Sequence, residues 1–295
     1  MHTTAFITKE IRMKARDKEE IRTAVRDRYG KVARLGTKAA GLIPALSCCG
    51  EQGISDTKRS PASCCEAPEF TPEQMSKAMG YSKDDLESTP EGANLGLGCG
   101  NPVALASLKP GETVVDLGSG RGFDCFLAAN EVGKNGKVIG VDMTPDMISK
   151  ARKSAQDAGI DNVEFRLGEI EHLPVADNSA DIIMSNCVIN LSPDKQRVYK
   201  DAFRVLKPGG RLAISDILAT QELPAEIKND LALHSACVGG AATVESTVTM
   251  LEQTGFRDII IDAKEESRKI INEWMPGSNP GDYIVSAYIE AKKPE

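Results

Sequence analysis

The sequence predicts an α/β fold: a doubly wound, mostly parallel sheet with helices on both faces. Two observations predict it. Between residues 113 and 216, short apolar strands alternate with helical stretches, and helix-start signals recur between them. A glycine-rich loop stands at the first strand–helix junction, the place where such sheets bind ligands.

Each element follows from its local pattern. Residues 10–34 read as a helix, with Ile21, Val25, Tyr29 and Val32 on one face and a basic excess that is expected to be a solvated face. Residues 36–68 carry Gly, Ser, Pro and two Cys-Cys pairs without period, as a loop-rich segment does. Two short helices fit residues 71–88, closed by Pro90, and the glycines of 92–102 exclude regular structure. Strands are expected at Thr113–Leu117, Lys137–Asp142, Val163–Leu167, Asp181–Asn186 and Arg211–Asp216. A helix runs from Phe123 to Val132. A second opens with Thr144 as N-cap and Pro145 at its first position, and stops before Gly159. Ser192 and Pro193 repeat that signature for a third helix, which ends near Lys207–Gly210. Helices near 224–235 and 244–254 and strands near 258–263 and 283–291 follow, with Met275–Asp282 as a turn-rich linker. The expected organisation is an N-terminal helix and cysteine-rich segment (1–70), a ligand-binding core (71–220), and a C-terminal part with acceptor-site helices and closing strands (221–295).

Composition excludes several classes. Hydrophobic residues form 41% of the 295, enough for a sizeable core. A net charge of -7 argues against nucleic-acid binding, and 4% aromatic content argues against base-stacking platforms. No run is apolar enough to span a bilayer, and Met1–Lys18 lacks the apolar centre of a secretory signal. A cytoplasmic protein without membrane or nucleic-acid partners is expected, with a monomer as the default. In that reducing compartment the eight cysteines (48, 49, 64, 65, 99, 125, 187 and 237) are more often buried, metal-binding or catalytic than paired in disulfides.

The loop reads Asp116-Leu117-Gly118-Ser119-Gly120-Arg121-Gly122. Its Gly-x-Gly-x-Gly spacing differs from the Gly-x-Gly-x-x-Gly of dinucleotide enzymes, which cradle a pyrophosphate on the helix N-terminus. An acid just before the glycines suits a cationic amino-acid moiety instead. Asp142, ending the second strand, can accept both hydroxyls of a ribose, with Met143 beside it. Gly168, Glu169 and Ile170 stand where an adenine would lie. Together these residues resemble the class I S-adenosylmethionine methyltransferases. The resemblance implies a Rossmann-like fold with an antiparallel C-terminal strand, and a cofactor held by Asp116, Gly118, Ser119, Gly120, Gly122, Asp142, Met143, Gly168, Glu169, Ile170 and Asn186. A Rossmann-type dehydrogenase is the weaker reading of the loop.

The acceptor is read from thiols. Ser185-Asn186-Cys187-Val188-Ile189-Asn190 follows the fourth strand, where this fold faces the methyl donor. No Pro-Pro-aromatic motif of the amino-methylating DNA enzymes is present. Cys99 lies between Gly98 and Gly100, and Cys237 precedes Val238-Gly239-Gly240. Three such thiols can converge above the carboxyl edge of the sheet and suit a thiophilic centre. Zinc would want a fourth ligand and paired spacing. Trivalent arsenic takes three thiolates and keeps a lone pair that can attack a sulfonium methyl, a reaction that needs mainly positioning.

Asn186-Cys187-Val188-Ile189-Asn190-Leu191-Ser192-Pro193, Gly98-Cys99-Gly100, Val141-Asp142-Met143-Thr144 and Cys237-Val238-Gly239-Gly240 resemble the arsenite methyltransferases over residues 81–255. The resemblance implies that Cys99, Cys187 and Cys237 bind arsenite or methylarsenite, that S-adenosylmethionine is the donor, and that thioredoxin or glutathione restores the thiols. Some members carry aromatic residues where this chain has Leu97-Gly98. Members often use one further upstream cysteine, a role left open among Cys48, Cys49, Cys64 and Cys65. Cys125 reads as core, His172 and His234 as surface or packing residues, Glu222 and Glu226 as exposed, and Trp274 as packing for the C-terminal part. The competing functions are a C- or O-methyltransferase of the quinone or sterol type and a non-catalytic metalloid-binding protein.

Overall fold

The computed structural model describes residues 3–35, 71–228, 230–274 and 279–295. Cys48, Cys49, Cys64, Cys65, the loop-rich reading of 36–68, the side chain of Trp274 and residues 275–278 of the linker after it lie outside the described residues. In chain order the elements are α1 (Thr3–Leu35), α2 (Pro72–Ala78), α3 (Lys83–Glu87), α4 (Pro102–Ala106), β1 (Thr113–Leu117), α5 (Phe123–Val132), β2 (Lys137–Asp142) and α6 (Pro145–Ala158). Then come β3 (Val163–Leu167), β4 (Ala180–Asn186), α7 (Lys195–Val205), β5 (Leu206–Ala219), α8 (Ala225–Lys228), α9 (Leu231–His234), α10 (Val244–Thr254), β6 (Arg257–Lys264), α11 (Ser267–Trp274) and β7 (Ile284–Lys292).

The strands form one seven-stranded sheet in the order β3-β2-β1-β4-β5-β7-β6. β1 to β5 pair in parallel, and β7 runs antiparallel to both β5 and β6. The expected single antiparallel closing strand is therefore β7, inserted between β5 and β6. Strand order reverses between β1 and β4, so the crevice at their carboxyl ends is the natural ligand site.

The period-2 alternation of β1 places its side chains in two cores. Val115 and Leu117 pack with α7 and α10 through Val198, Tyr199, Ala202 and Leu251. Val114 faces the other way, against Cys125, Phe126 and Ala129 of α5 and Ile148 and Ala151 of α6. Each fully buried aliphatic side chain contributes about 1.5–3 kcal/mol. Asp116 has the parity of Val114, which aims it at α5. A third cluster sits at the carboxyl edge and contains Cys187, Leu191, Ile217, Cys237, Val238 and Val25 of α1, with Cys99, Met143 and Tyr29 packed against it.

Several expectations are corrected. The basic face of α1 is not simply solvated. Arg22 reaches Glu169 at 3.5 Å and Glu171 at 3.6 Å, Arg26 reaches Glu169 at 3.4 Å, and Lys18 reaches Asp194 at 2.8 Å. These pairs lay α1 across the carboxyl edge. The N-cap of α7 is Asp194, which accepts from the Arg197 N–H. Ser192 is instead drawn away by Glu171, to which its hydroxyl donates at 2.6 Å. Thr144 does cap α6 by position, but its N–H donates to Asp142 at 2.8 Å and its side chain makes no cap bond. The helix expected over 224–235 is split into α8 and α9, the second capped by Asp230. Two helices, α4 and α11, were not expected. α4 opens on an Asn101 cap directly after the glycine-rich stretch.

Candidate active site

The glycine loop works through backbone conformation. Gly118, Gly120 and Gly122 have φ of 72°, 54° and 90°, where an L side chain is strained. A Cβ on Gly118 would stand 2.5 Å from the Val188 methyls, and one on Gly122 would stand 2.5 Å from the Phe165 ring. Gly120 differs, since nothing lies within 4 Å of its Cβ position. Its N–H donates to Asp142 Oδ2 at 2.9 Å, so the open space borders the carboxylate expected to take a ribose. Gly168 is tied to the same residue, its N–H donating to the Asp142 carbonyl at 3.0 Å. Met143 packs with the carboxyl-edge cluster. Ile170 is a buried core residue, and the Glu169 carboxylate is occupied by Arg22 and Arg26 of α1.

Beside the loop lies a buried acidic group. Asp116 is 3% exposed, and burial followed by the neighbouring Asp124 charge pushes its carboxyl well above the usual range. Asp124 is pushed up to about 6 by burial, against the hydrogen bonds from Tyr81 and Asn186. Cys125 donates its thiol to Asp116 at 3.2 Å, as a core residue. Asp142 is raised by burial too, although the Thr144 and Gly120 N–H groups hold its charge. The groups acting on Asp116 include two carboxylates and no cation. Ser119 Oγ is buried without a hydrogen-bond partner. Uncompensated buried carboxylates, an orphaned hydroxyl and a glycine facing open space fit a ligand with a cationic end and polar hydroxyls. S-adenosylmethionine is such a ligand.

Asn186 joins this half of the site to the other. Its Nδ2 donates to Tyr81 Oη (3.0 Å), the Gly100 carbonyl (2.9 Å) and Asp124 Oδ2 (3.2 Å). Its Oδ1 accepts from the Cys99 N–H at 3.0 Å. Gly98 and Gly100 permit this approach. A Cβ on Gly98 would meet the Asn186 amide at 2.8 Å, and one on Gly100 would collide with Ser215 Oγ.

The three expected acceptor thiols come from three separate segments and meet in one cluster. Cys99 and Cys187 are joined as a disulfide with their Cα atoms 5.9 Å apart. Cys237 is a free buried thiol whose Sγ donates to the Cys187 carbonyl at 2.9 Å. Cys187 and Cys237 have φ of 57° and 65°, rare for residues with a Cβ. Such strain persists where the surroundings hold it, and here the Cys187 N–H is anchored on the Ser215 carbonyl at 2.8 Å. Burial, and then the Asp216 charge, push the Cys237 thiol far above its ordinary value, against a hydrogen bond from Tyr29. An Asp216 carboxylate oxygen and the Cys99 and Cys187 sulfurs all lie within 4.8 Å of one another.

A methyltransferase domain family matches residues 108–255. An arsenite methyltransferase of Halobacterium salinarum is 50% identical over 95% of this chain and 68% of its own length. The chain belongs to the arsenite methyltransferases. A relative of that name from Aquipseudomonas alcaligenes is 40% identical over 70% of this chain and 59% of its own. Among solved structures, the arsenic(III) S-adenosylmethionine methyltransferase of Chlamydomonas reinhardtii aligns with a TM-score of 0.56 and 31% identity, covering 75% of this chain and 73% of that one.

Against this family background, sequence reasoning missed four groups. Tyr81 and Asp124 form the buried network on Asn186, and Tyr29 touches Cys237 from α1. Asp216 was read only as the end of a strand. The Asp124 position, two residues past the loop, was the one legible signal, because a charged residue on the buried face of α5 has no packing reason. The alternatives read as packing or surface hold. His234 is buried with Nε2 3.2 Å from the Leu191 carbonyl, and Glu222 and Glu226 are exposed.

Proposed function

We infer that the protein is an arsenite methyltransferase that moves a methyl group from S-adenosylmethionine to trivalent arsenic held by Cys99, Cys187 and Cys237. One observation carries the assignment of those residues: three thiols distant in sequence share one buried cluster, joined through Asn186 to the carboxylates beside the glycine loop. When bound, S-adenosylmethionine supplies an electrophilic methyl on a sulfonium. Asp116 and Asp124 would hold its cationic end, Asp142 its ribose hydroxyls, and the bare face of Gly120 its passage along the loop. Ser119 and Gly118 complete the cradle, and Met143 and Gly168 border it.

The thiols do the acceptor chemistry. Three Cys–SH groups and arsenous acid give a neutral tris-thiolate and three waters, so each leaving hydroxide takes one thiol proton. Burial of Cys237 disfavours its free thiolate, so deprotonation accompanies arsenic binding. The Cys99–Cys187 disulfide must first be reduced by two electrons. That requirement supports thioredoxin or glutathione as the reductant, and a reducing compartment such as the cytoplasm as the setting. Among the described residues no helix is long and apolar enough to cross a membrane. We take the monomer as the working unit.

The test is incubation with arsenite, S-adenosylmethionine and either reductant, followed by arsenic speciation. Methylated arsenic that requires all three components is the expected result. Inorganic arsenic unchanged under both reductants overturns the reading.

A further inference from the structure

Asp216 has no role in the scheme above, yet it occupies the acceptor site. It ends the run of β5 beside β4 and is 2% exposed. Its oxygens accept from the Ile217 N–H (2.8 Å), the Ile189 N–H (3.0 Å) and Asn190 Nδ2 (2.9 Å). The Cys187 backbone is anchored on the preceding residue, Ser215. The carboxylate is thus fixed in position, within 4.8 Å of both sulfurs that would carry arsenic.

For binding alone this placement is unfavourable. A buried negative charge opposes thiolate formation, and it raises Cys237 by just that interaction. The reaction reverses the sign. A tris-thiolate arsenic is neutral. As its lone pair forms the As–C bond, the C–S bond breaks and its electron pair stays on sulfur. The donor becomes a neutral thioether and the arsenic becomes a methylated cation. One positive charge therefore moves from the cofactor to the atom beside Asp216.

We infer that the Asp216 carboxylate, fixed by three hydrogen bonds beside Cys99 and Cys187, stabilises the positive charge that arrives on arsenic during methyl transfer. A preorganised charge in a buried site acts on the transition state with little reorganisation. Lys195 tempers it. Its Nζ donates to the Ser192 carbonyl at 3.2 Å, and its charge acts on Asp216. The inference rests on trivalent arsenic as the acceptor.

The experiment is single-turnover methylation by reduced enzyme preloaded with arsenite, at saturating S-adenosylmethionine, for wild type, Asp216→Asn, Asp216→Glu and Lys195→Met. Affinities for arsenite and S-adenosylmethionine are measured separately by calorimetry. Asp216→Asn should slow the transfer about 10- to 100-fold, with both affinities held within about threefold. Asp216→Glu, which keeps the charge, should recover at least part of that loss. Lys195→Met should accelerate transfer about two- to fivefold, because a screened countercharge is removed. A purely structural role would not give opposite signs at the two positions. The inference is overturned if Asp216→Asn transfers methyl at the wild-type rate, if Asp216→Glu is as slow as Asp216→Asn, or if the loss lies wholly in arsenite affinity. Should Asp216→Asn fail to fold, Lys195→Met decides: acceleration supports the inference, and an unchanged or slower rate overturns it. If wild type itself yields no methylated arsenic, the proposed function has failed rather than this step.

Discussion

Gly120 and Gly122 share a backbone conformation but face different surroundings, so the same substitution should fail in two different ways. Alanine at either position must take a positive φ, of 54° or 90°, at a cost of roughly 1–2 kcal/mol. At Gly122 the new methyl also stands 2.5 Å from Phe165 Cζ and 3.0 Å from Phe126 Cε2, both ring atoms of the packed α5 core. Overpacking of that kind adds typically about 1–3 kcal/mol. Gly122→Ala should therefore lose about 2–5 kcal/mol, a large part of the roughly 5–15 kcal/mol that holds a domain together. At Gly120 no atom lies within 4 Å, so Gly120→Ala should lose only the backbone share, about 1–2 kcal/mol. Its methyl would enter the space beside Asp142, and S-adenosylmethionine affinity should drop about tenfold or more, equivalent to ~1.4 kcal/mol. Urea denaturation without cofactor measures the first quantity, and calorimetric titration of S-adenosylmethionine the second. The reasoning is refuted if Gly122→Ala is no less stable than Gly120→Ala, or if Gly120→Ala binds S-adenosylmethionine within threefold of wild type.

Other perturbations separate the parts of the site. Arg22→Ala leaves the buried Glu171 without its arginine and should weaken α1 docking by about 1–3 kcal/mol; hydrogen exchange in residues 18–35 should quicken, and unchanged exchange would show that the ion pairs do not hold the helix. S-adenosylmethionine binding should tighten as pH rises from 5 to 7.5. Burial raises Asp116 and Asp124, the latter to about 6, so the empty folded site holds protons that a cationic ligand must displace at low pH. By the same sign, the stability these two carboxyls contribute is full below the ordinary carboxylate range; the Asp124 share is lost as pH rises through about 6, and the Asp116 share as pH rises through its own raised value. Calorimetry across that range that finds weaker binding at the higher pH counts against a cationic end at Asp116. Cys187→Ser should abolish arsenite binding while S-adenosylmethionine affinity stays within about twofold, since Cys187 faces the acceptor cluster. Equal loss of both would mean that Cys187 supports the fold instead.

Much of the architecture was legible because it rests on local signals. β1, β2, β3, α5, α6 and α10 coincide with the expected spans, since each has a clean hydrophobic period bounded by Gly, Pro or a capping residue. The failures have a common cause. α11 has a 3.6-residue apolar pattern too short to stand against its charged neighbours, and α4 is five residues held by the Asn101 cap and by packing on β4, β5 and α5. Ser192, followed by Pro193, reads as the cap on sequence grounds, but Asp194 takes the role. Ser192 is drawn to a tertiary partner, Glu171, which lies 21 residues away and cannot be seen in a local window.

The site divides along the same line. The three glycines were legible because their part is a backbone one, and backbone demands leave a residue-type signature; Asp116 and Asp142 were legible from their places just before the loop and at the end of the second strand. The three cysteines that meet in one cluster were legible because the proposed soft acceptor admits few donor types. What the pattern could not reveal is how the chain keeps them in place. The positive φ at Cys187 and Cys237 has no sequence signature, because a residue with a Cβ is not selected for that conformation. It is imposed from elsewhere: by the Ser215 carbonyl on Cys187, and by α9 on Cys237, whose N–H is held by the His234 carbonyl at 3.0 Å. Asp216 escaped notice for the related reason that a strand-end acid is commonplace. Only pairing of β4 with β5, which sets Asn186 beside Ser215, turns that acid toward the two sulfurs. A carboxylate there makes the resting thiols harder to ionise, and in the proposed transfer that cost is offset in the later state in which the atom between the sulfurs carries positive charge.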